Sequence, residues 1–297
     1  MDRPEYKAWL SRKEVQKELA PVKELQKVLL ELLLVIDHVC TENNLRYYLF
    51  YGTLLGAVRD GGFIPWDDDA DIVMPRDDYE KLLHLSKEMW PKGYFLQSPY
   101  SDKNGRFAFA KLRKDGTTCI DPHHRHIRMH QGIFLDIFPM DETGVRSSLL
   151  WNVPRLFERM AALKCARLPE SMKWLKPIKW IWEALAPSSS CFNRMGNFFA
   201  RLLSCKGGRY LDTFSTDRSA RARAGWKVDL FEPSNRICFE GHLLSVPKCS
   251  EEILGGYFGN WQDWPAEEDR TPIHSDGGVI DTERDYSEYL KEGCHVR

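Results

Sequence analysis

Four aspartates lie within five positions of the chain, at Asp67, Asp68, Asp69 and Asp71. Like charges at this density repel one another, and burying them unpaired is costly or forces protonation. The apolar run at 72–74 indicates that the cluster leads into a buried strand. We therefore expect a cation at this point. Oxygen ligands with no cysteine nearby favour Mg²⁺ or Mn²⁺.

The spacing of these aspartates indicates which of them share the cation. Residues i and i+2 of a strand face the same side, so Asp69 and Asp71 are predicted to project together as metal ligands. Ala70 and Ile72 would then face the core. Asp67 would join them only if the strand extended back that far. A solvated turn or a helix cap is the alternative for such a cluster.

A Gly-Thr pair precedes the aspartates, between a predicted strand at 46–50 and a predicted short helix. Backbone N–H groups at a helix start, together with the Thr53 hydroxyl, can hold phosphate oxygens. Gly52 would let a ligand approach the backbone closely. The same pair is also an ordinary helix start, so its significance depends on the Asp-x-Asp pattern that follows it.

Three basic side chains and one tryptophan are further candidates. Lys111 and Arg113 lie two apart on a predicted strand, so they face one side and could neutralise charge in a transition state. Arg59 is a weaker candidate for the same task, and ordinary surface pairing is the alternative for all three. Trp66 could stack on a trimethylammonium group or could simply pack.

The stretch from Gly52 to Ile72 resembles the signature of the LicD family, within the nucleotidyltransferase fold superfamily. That pattern has Gly-Ser/Thr at a helix after the first strand, two aspartates on the second strand and a third carboxylate on a later strand. Residues 131–140, Q-G-I-F-L-D-I-F-P-M, are similar to a second block of the family. There Asp136, between Leu135 and Ile137, corresponds to the third carboxylate.

A C-terminal segment, 264–275, is similar to the family's P-P-E-x-x-R-x-x-H-H pattern. The similarity implies a substrate loop that contains Glu268, Arg270 and His274. The segment departs from the pattern at Pro265, which stands for a proline pair. It departs again where serine follows His274 in place of a second histidine.

The resemblance implies transfer of a phosphorylated head group, such as phosphocholine, from a CDP- or CMP-activated donor to a sugar hydroxyl. The acceptor would be a surface glycan or a lipid-linked glycan. Asp69 and Asp71 would bind Mg²⁺ or Mn²⁺, and Asp136 would share a metal and take the proton of the attacking hydroxyl. The candidate head-group contacts are Trp66, Asp67 and Asp68. Two other classes stay open: a nucleotidyltransferase that moves the nucleotide itself onto a small molecule, and a catalytically silent binding module.

The elements that must position these residues indicate an α/β (α+β) fold. The resemblance implies that it is a nucleotidyltransferase-like mixed sheet flanked by helices. Residues 21–40 place apolar side chains at helical spacing. A hairpin is predicted about Gly241 and a helix at 250–258, and the last twenty residues are expected to fray. The other strands are predicted at 95–97, 107–113, 117–120 and 133–138.

Composition divides the chain into three parts: a catalytic core at 1–145, a basic, Trp-rich helical insertion at 146–209, and a C-terminal part at 210–297 that completes the core and substrate site. The segment from Arg146 to Arg209 has twelve Lys and Arg against three Glu, a net charge of +9, while the rest of the chain carries −10. One helical stripe in it holds Trp174, Leu175, Ile178, Ile181, Trp182 and Leu185. We favour packing of this stripe on the sheet, and the alternative is an interfacial helix on anionic lipid.

The overall composition excludes several classes. A net charge of −1 gives no indication of nucleic-acid binding, and no apolar run is long enough to predict a transmembrane helix. The charged N-terminus is unlike a signal peptide, so we expect a cytoplasmic protein, with contact at the inner face of the plasma membrane as an open alternative. Eight cysteines without a C-x-x-C pair indicate reduced thiols. The zinc alternative would use Cys191, Cys205, Cys238 and Cys249.

One histidine-rich stretch remains. Four of the nine histidines lie in 123–130, where we favour a solvated loop over a metal site or a substrate-binding loop. These residues are His123, His124, His126 and His130.

Overall fold

The computed structural model describes residues 4–144, 152–167, 170–213, 225–272 and 278–292. These residues form a mixed sheet flanked by helices, which confirms the predicted α+β class. The helices are α1 (Pro4–Leu10), α2 (Lys13–Glu42), α3 (Tyr51–Arg59), α4 (Arg76–Leu83), α5 (Asn152–Cys165), α6 (Lys176–Leu185), α7 (Ser189–Leu203), α8 (Ser250–Phe258) and α9 (Tyr286–Glu292). The strands are β1 (Tyr48–Leu49), β2 (Asp71–Pro75), β3 (Tyr94–Gln97), β4 (Ala110–Lys114), β5 (Thr118–Ile120), β6 (Phe134–Thr143), β7 (Tyr210–Asp212), β8 (Trp226–Lys227), β9 (Asn235–Phe239), β10 (His242–Val246) and β11 (Val279–Asp281).

The main sheet has the order β1-β2-β6-β4-β3 in the described part of the chain. Strands β2 and β6 are parallel, whereas β1 is antiparallel to β2 and β4 is antiparallel to β6. The far half of β6 pairs with β7, and β7 pairs with β8. Because β2 and β6 start side by side, the residues that open these two strands meet at one edge of the sheet.

Helix α2 supplies much of the core. It begins at Lys13, earlier than predicted, because Val15 and Leu19 extend its buried stripe towards the N-terminus. Pro21 lies inside the helix, and an interior proline costs about 3 kcal/mol. Burial of the long stripe offsets this cost. The helix ends at Glu42 with Asn43 as its C-cap, as predicted.

The C-terminal part is more ordered than the sequence predicted. The hairpin β9–β10 and the helix Ser250–Phe258 are confirmed. Fraying of the last twenty residues is wrong for 278–292, since β11 pairs antiparallel with β5. The Thr118 hydroxyl also donates a hydrogen bond to the Arg284 carbonyl, 2.7 Å away. Backbone pairing of this kind holds a polar segment that offers few apolar side chains to a core.

The helical insertion packs on the sheet through α7. The Asn193 and Asn197 side chains donate to the carbonyl oxygens of Arg106 and Ala108, at 2.8 and 2.7 Å. Helix α6 has no buried residue, so packing of its stripe on the sheet is wrong for most of its members. The exposed ones are Trp174, Ile178, Ile181 and Leu185. None of the described helices is long and apolar enough to cross a bilayer.

Candidate active site

The start of α3 lies beside the start of β2. Helix α3 follows β1 directly, and its Thr53 is buried. The Thr53 hydroxyl accepts a hydrogen bond from the backbone N–H of Asp71, at 2.8 Å. This bond fixes the helix start against the first residue of the carboxylate strand. It leaves the hydroxyl proton for donation, and the phosphate contact of Thr53 stays a prediction.

The close approach expected at Gly52 is made by an aspartate in this structure. A Cβ at position 52 would lie 2.7 Å from Oδ2 of Asp67, so any larger residue would collide with this carboxylate. The positive end of the helix dipole favours an anion at such a place. Asp67 therefore lies where the sequence predicted a phosphate oxygen, and the phosphate role of Gly52 stays a prediction.

Two carboxylates from different strands meet at the site. Asp71 on β2 and Asp136 on β6 are register partners in the parallel pair, so their side chains project to one side. Burial raises the pKa of Asp71 well above its usual range, and the charges of Asp69, Asp136 and Asp67 raise it further. Ala70 and Ile72 are fully buried, as predicted. The carboxylates thus share one small region of low dielectric constant.

Lys111 partly compensates this negative charge. Its ammonium donates to Oδ1 of Asp136 at 2.5 Å, from the neighbouring strand β4. Burial lowers the pKa of Lys111, against the opposing effect of Asp136. For Asp136 the sign is reversed: burial raises its pKa, and Lys111 opposes the rise. Three phenyl rings lie within 5.3 Å of the ammonium, so Lys111 is secluded from water, whereas Asp136 is partly exposed.

Arg113 is further from the carboxylates along the same face of β4. Its Nε donates to Oε1 of Gln97 at 2.6 Å, and its guanidinium donates to the Gly132 carbonyl at 2.7 Å. Burial lowers the pKa of Arg113 to about 10. The common facing of Lys111 and Arg113 is as predicted, but these hydrogen bonds give Arg113 a structural function that the sequence did not indicate.

Trp66 belongs to an aromatic cluster. Its ring makes edge contacts with Trp9 and Trp264, at centroid distances of 5.8 and 5.1 Å. The Arg270 guanidinium lies 5.0 Å from the Trp9 ring centroid and 5.4 Å from that of Trp264. Trp66 is buried in this packing, which supports the packing interpretation. Its head-group role stays a prediction.

The cluster also locates the predicted substrate loop. Trp264 brings this segment beside Trp66, which directly precedes Asp67 in the chain. Glu268 is exposed on a short 3₁₀ helix, Glu267–Asp269, and His274 lies outside the described residues. Arg59, buried next to Trp264, forms an ion pair with Asp60 at 2.8 Å.

Asp68 lines a cavity of about 350 Å³ together with Glu24, Asp281 and Glu283. Asp68 itself is buried. The C-terminal strand β11 forms one wall of this cavity through Ile280. Sequence reasoning missed this contribution because it treated the C-terminus as frayed.

The histidine loop is more buried than predicted. His124 is buried, contacts the Arg106 guanidinium and lies 2.9 Å from Asp121. His130 stacks on Phe95 at 5.4 Å. The solvated-loop interpretation is therefore wrong for these two histidines. No group of three His, Cys, Asp or Glu side chains in the described part of the chain is arranged as a metal site, which also argues against zinc at the cysteines described there.

The aspartates nevertheless fit a hard divalent cation. Magnesium is usually held by one or two carboxylates with substrate phosphates and water, and seldom by a closed protein cage. Asp71 and Asp136, register partners with Asp69 close by, offer such an incomplete oxygen set. A cation there would relieve the repulsion that raises the pKa of Asp71. The Mg²⁺ or Mn²⁺ site stays a prediction, with Asp69, Asp71 and Asp136 as its ligands.

The helix start and the two carboxylate strands lie within a part of the chain that is similar to a known domain. Residues 44–160 match the family model described as LicD/FKTN/FKRP, nucleotidyltransferase domain. The matched residues include α3, β2 and β6, so this part of the chain resembles the nucleotidyltransferase domain of the LicD family.

Individual proteins are similar to this chain over different lengths. The lipopolysaccharide cholinephosphotransferase LicD of Haemophilus influenzae is 26% identical over 261 residues, which cover 85% of this chain and 96% of that protein. An uncharacterized protein of Rickettsia prowazekii is 36% identical over 102 residues, 34% of this chain and 35% of that protein. Mannosyltransferase regulator 14 of Saccharomyces cerevisiae is 33% identical over 102 residues, 32% of this chain and 10% of that protein.

Proposed function

We propose that this protein transfers a phosphorylated head group of the phosphocholine class from a CDP-activated donor to a sugar hydroxyl of a lipopolysaccharide-type glycan. The observation that carries the proposal is the register pairing of Asp71 with Asp136 beside the start of α3. The similarity to the cholinephosphotransferase extends over nearly the full length of that relative. This extent supports a shared reaction.

The chain's own residues have distinct tasks in this proposal. Asp69 and Asp71 would hold the divalent cation, which when bound neutralises charge on the donor's pyrophosphate. The N–H groups at the start of α3 would bind phosphate oxygens that approach past Gly52. Lys111 would place positive charge beside the group being transferred.

Asp136 would accept the proton of the attacking hydroxyl. Its Oδ1 is held by Lys111, and no residue in the described part of the chain hydrogen-bonds Oδ2. The raised pKa of Asp136 makes it a better proton acceptor than an ordinary exposed aspartate. A hydroxyl oriented towards Oδ2 could therefore lose its proton as the new phosphate ester bond forms.

The test is to incubate the protein with Mg²⁺, a panel of CDP- and CMP-linked donors and an oligosaccharide acceptor, and to weigh the glycan by mass spectrometry. We expect an increase of one phosphorylated head group with a cationic donor, and no increase with Asp71→Asn. A glycan that gains a nucleotide would contradict the proposal and favour nucleotidyl transfer. Donor and metal binding without any transferred group would instead favour a binding module.

A further inference from the structure

Helices α5 and α7 form an antiparallel pair. The rings of Phe157 and Phe199 stack at 5.2 Å with an interplanar angle of 5°. Cys165, at the end of α5, and Ser189, at the start of α7, lie side by side on the wall of one cavity. The end of one helix therefore lies against the start of the other.

Each helix of this pair carries an exposed apolar stripe. Leu156 and Phe198 come one residue before the stacked phenylalanines, and in an antiparallel pair this places both on the same side. The exposed fractions are 55% for Leu156, 61% for Leu163, 54% for Phe198 and 66% for Leu202. Leu163 and Leu202 repeat the positions of Leu156 and Phe198 at helical spacing, so the two stripes form one surface.

Helix α6 adds a third apolar face next to this pair. The Lys164 ammonium donates to the carbonyl oxygens of Glu183 and Ala186, at 2.5 and 2.9 Å. In return, Lys179 donates to the Leu163 carbonyl at 2.8 Å. These bonds join the C-terminal ends of α5 and α6. The exposed side chains of the third face are Ile178 at 62%, Ile181 at 50% and Leu185 at 81%, together with Trp174 at 73% just before α6.

Positive charge surrounds these three faces. The segment 146–209 carries a net charge of +9. A cavity of about 680 Å³ lies beside α6. Its basic lining includes Lys103, Arg128, Arg167 and Lys176, with Trp180 also on the wall. A contiguous exposed apolar patch of this kind is typical of an interaction site, and the cations indicate an anionic partner.

We propose that the docking face, formed by the exposed apolar side chains of α5, α6 and α7, binds the surface of an anionic lipid membrane. Ile, Leu, Phe and Trp side chains flanked by Lys and Arg are typical of helices that lie in a membrane interface. The apolar side chains enter the acyl boundary, while the basic cavity takes lipid phosphate groups. If the proposed function holds, docking would hold the active site near a lipid-linked glycan acceptor.

Vesicle sedimentation of the full-length protein tests the docking face. The wild type should pellet with vesicles that contain phosphatidylglycerol, should pellet less with phosphatidylcholine alone, and should be released at high salt, which screens surface charge. Ile178→Glu combined with Leu185→Glu should weaken binding by about tenfold or more, because two apolar side chains leave the acyl boundary. The matched control is Met89→Glu with Leu243→Glu, two exposed positions outside the docking face.

A charge variant tests the basic cavity separately. Arg167→Glu with Lys176→Glu should weaken binding to anionic vesicles only. Lys164 and Lys179 stay unchanged because they bind the helix ends. The proposal is overturned if the wild type ignores anionic vesicles, or if the docking-face and control variants bind equally. It is also overturned if sedimentation equilibrium shows a dimer that the docking-face variant dissociates, since the partner is then a second copy.

Transfer to a soluble oligosaccharide separates this proposal from the proposed function. The docking-face variant should keep wild-type turnover there. If neither the wild type nor any variant transfers a head group, the proposed reaction is wrong. The vesicle experiment would still show whether the docking face binds a membrane.

Discussion

Asp71 and Asp136 are direct partners across the parallel strands β2 and β6, and Lys111 on β4 donates to Asp136 at 2.5 Å. Three adjacent strands thus place two carboxylates and one ammonium in a single buried region. Burial raises the pKa of both carboxyls. A cation at this point would remove a repulsion that the fold otherwise has to accommodate.

Asp69→Asn and Asp71→Asn should each abolish turnover while the protein stays folded. Each change removes a predicted metal ligand, and a neutral amide relieves repulsion, so the melting temperature without metal should be unchanged or higher. Added Mg²⁺ should raise the melting temperature of the wild type, since a ligand that binds only the folded state stabilises it, but should not raise that of either variant. Asp77→Asn, an exposed position on α4, is the control. Near-normal activity in the Asp71 variant at working Mg²⁺ concentration would disprove the metal assignment.

Asp136→Asn should have a different effect. As the proposed base, Asp136 should contribute a factor of about 10² or more to the rate, whereas the nucleotide donor should still bind. Single-turnover kinetics and donor titration by calorimetry measure the two separately. Lost donor binding together with a normal rate of the bound complex would show that Asp136 is not the base.

Lys111→Met should destabilise the fold by about 3–5 kcal/mol, because it leaves a buried carboxylate without its partner. The double variant with Asp136→Asn should lose less than the sum of the single changes, since the two residues are in contact. Lys114→Met is a control on the same strand. Its partner Glu31 is more exposed, so we expect about 1 kcal/mol or less. Urea melts of the wild type and of the four variants give these free energies. Additive losses in the double variant would contradict the coupling between Lys111 and Asp136.

His124 should make the fold sensitive to acid. Burial and the neighbouring Arg106 lower the pKa of His124 to about 4, whereas the pKa of a histidine in an unfolded chain is about 6.5. The unfolded chain therefore binds the proton first. The stabilising contribution of neutral His124 is fully present above about pH 6.5 and is lost as the pH falls towards 4. The free energy of unfolding should fall by at most about 1.4 kcal/mol per pH unit over this range.

Urea melts between pH 7 and pH 4 test this slope. His124→Gln should flatten the loss of stability over that range, while His123→Gln, an exposed neighbour in the same loop, should follow the wild type. Parallel curves for the wild type and His124→Gln would refute the prediction.

Elements with strong local patterns were predictable from the sequence. The apolar period of α2, the strand after the aspartates and the β9–β10 hairpin all have a pattern that requires no knowledge of distant residues. The assignment of Asp136 as the third carboxylate came from family resemblance, and the parallel register with Asp71 fits it.

Features that depend on distant partners were not predictable. The sequence around Gln97 does not predict its hydrogen bond to Arg113, which lies sixteen residues further along the chain. Asp141 forms a buried ion pair with Arg76 at 2.7 Å, yet sixty-five residues separate them. The stripe of α6 has the same helical period whether it packs or stays exposed, so only the structure could show that Ile178 and Leu185 are exposed.

The most direct measurement of the central claim is the leaving group released from CDP-choline when acceptor glycan and Mg²⁺ are present. Head-group transfer forms the new phosphate ester on the glycan and releases CMP, in a ratio of one to one. We predict CMP from the wild type and none above background from Asp71→Asn. Release of phosphocholine, with the nucleotide left on the acceptor, would contradict the account.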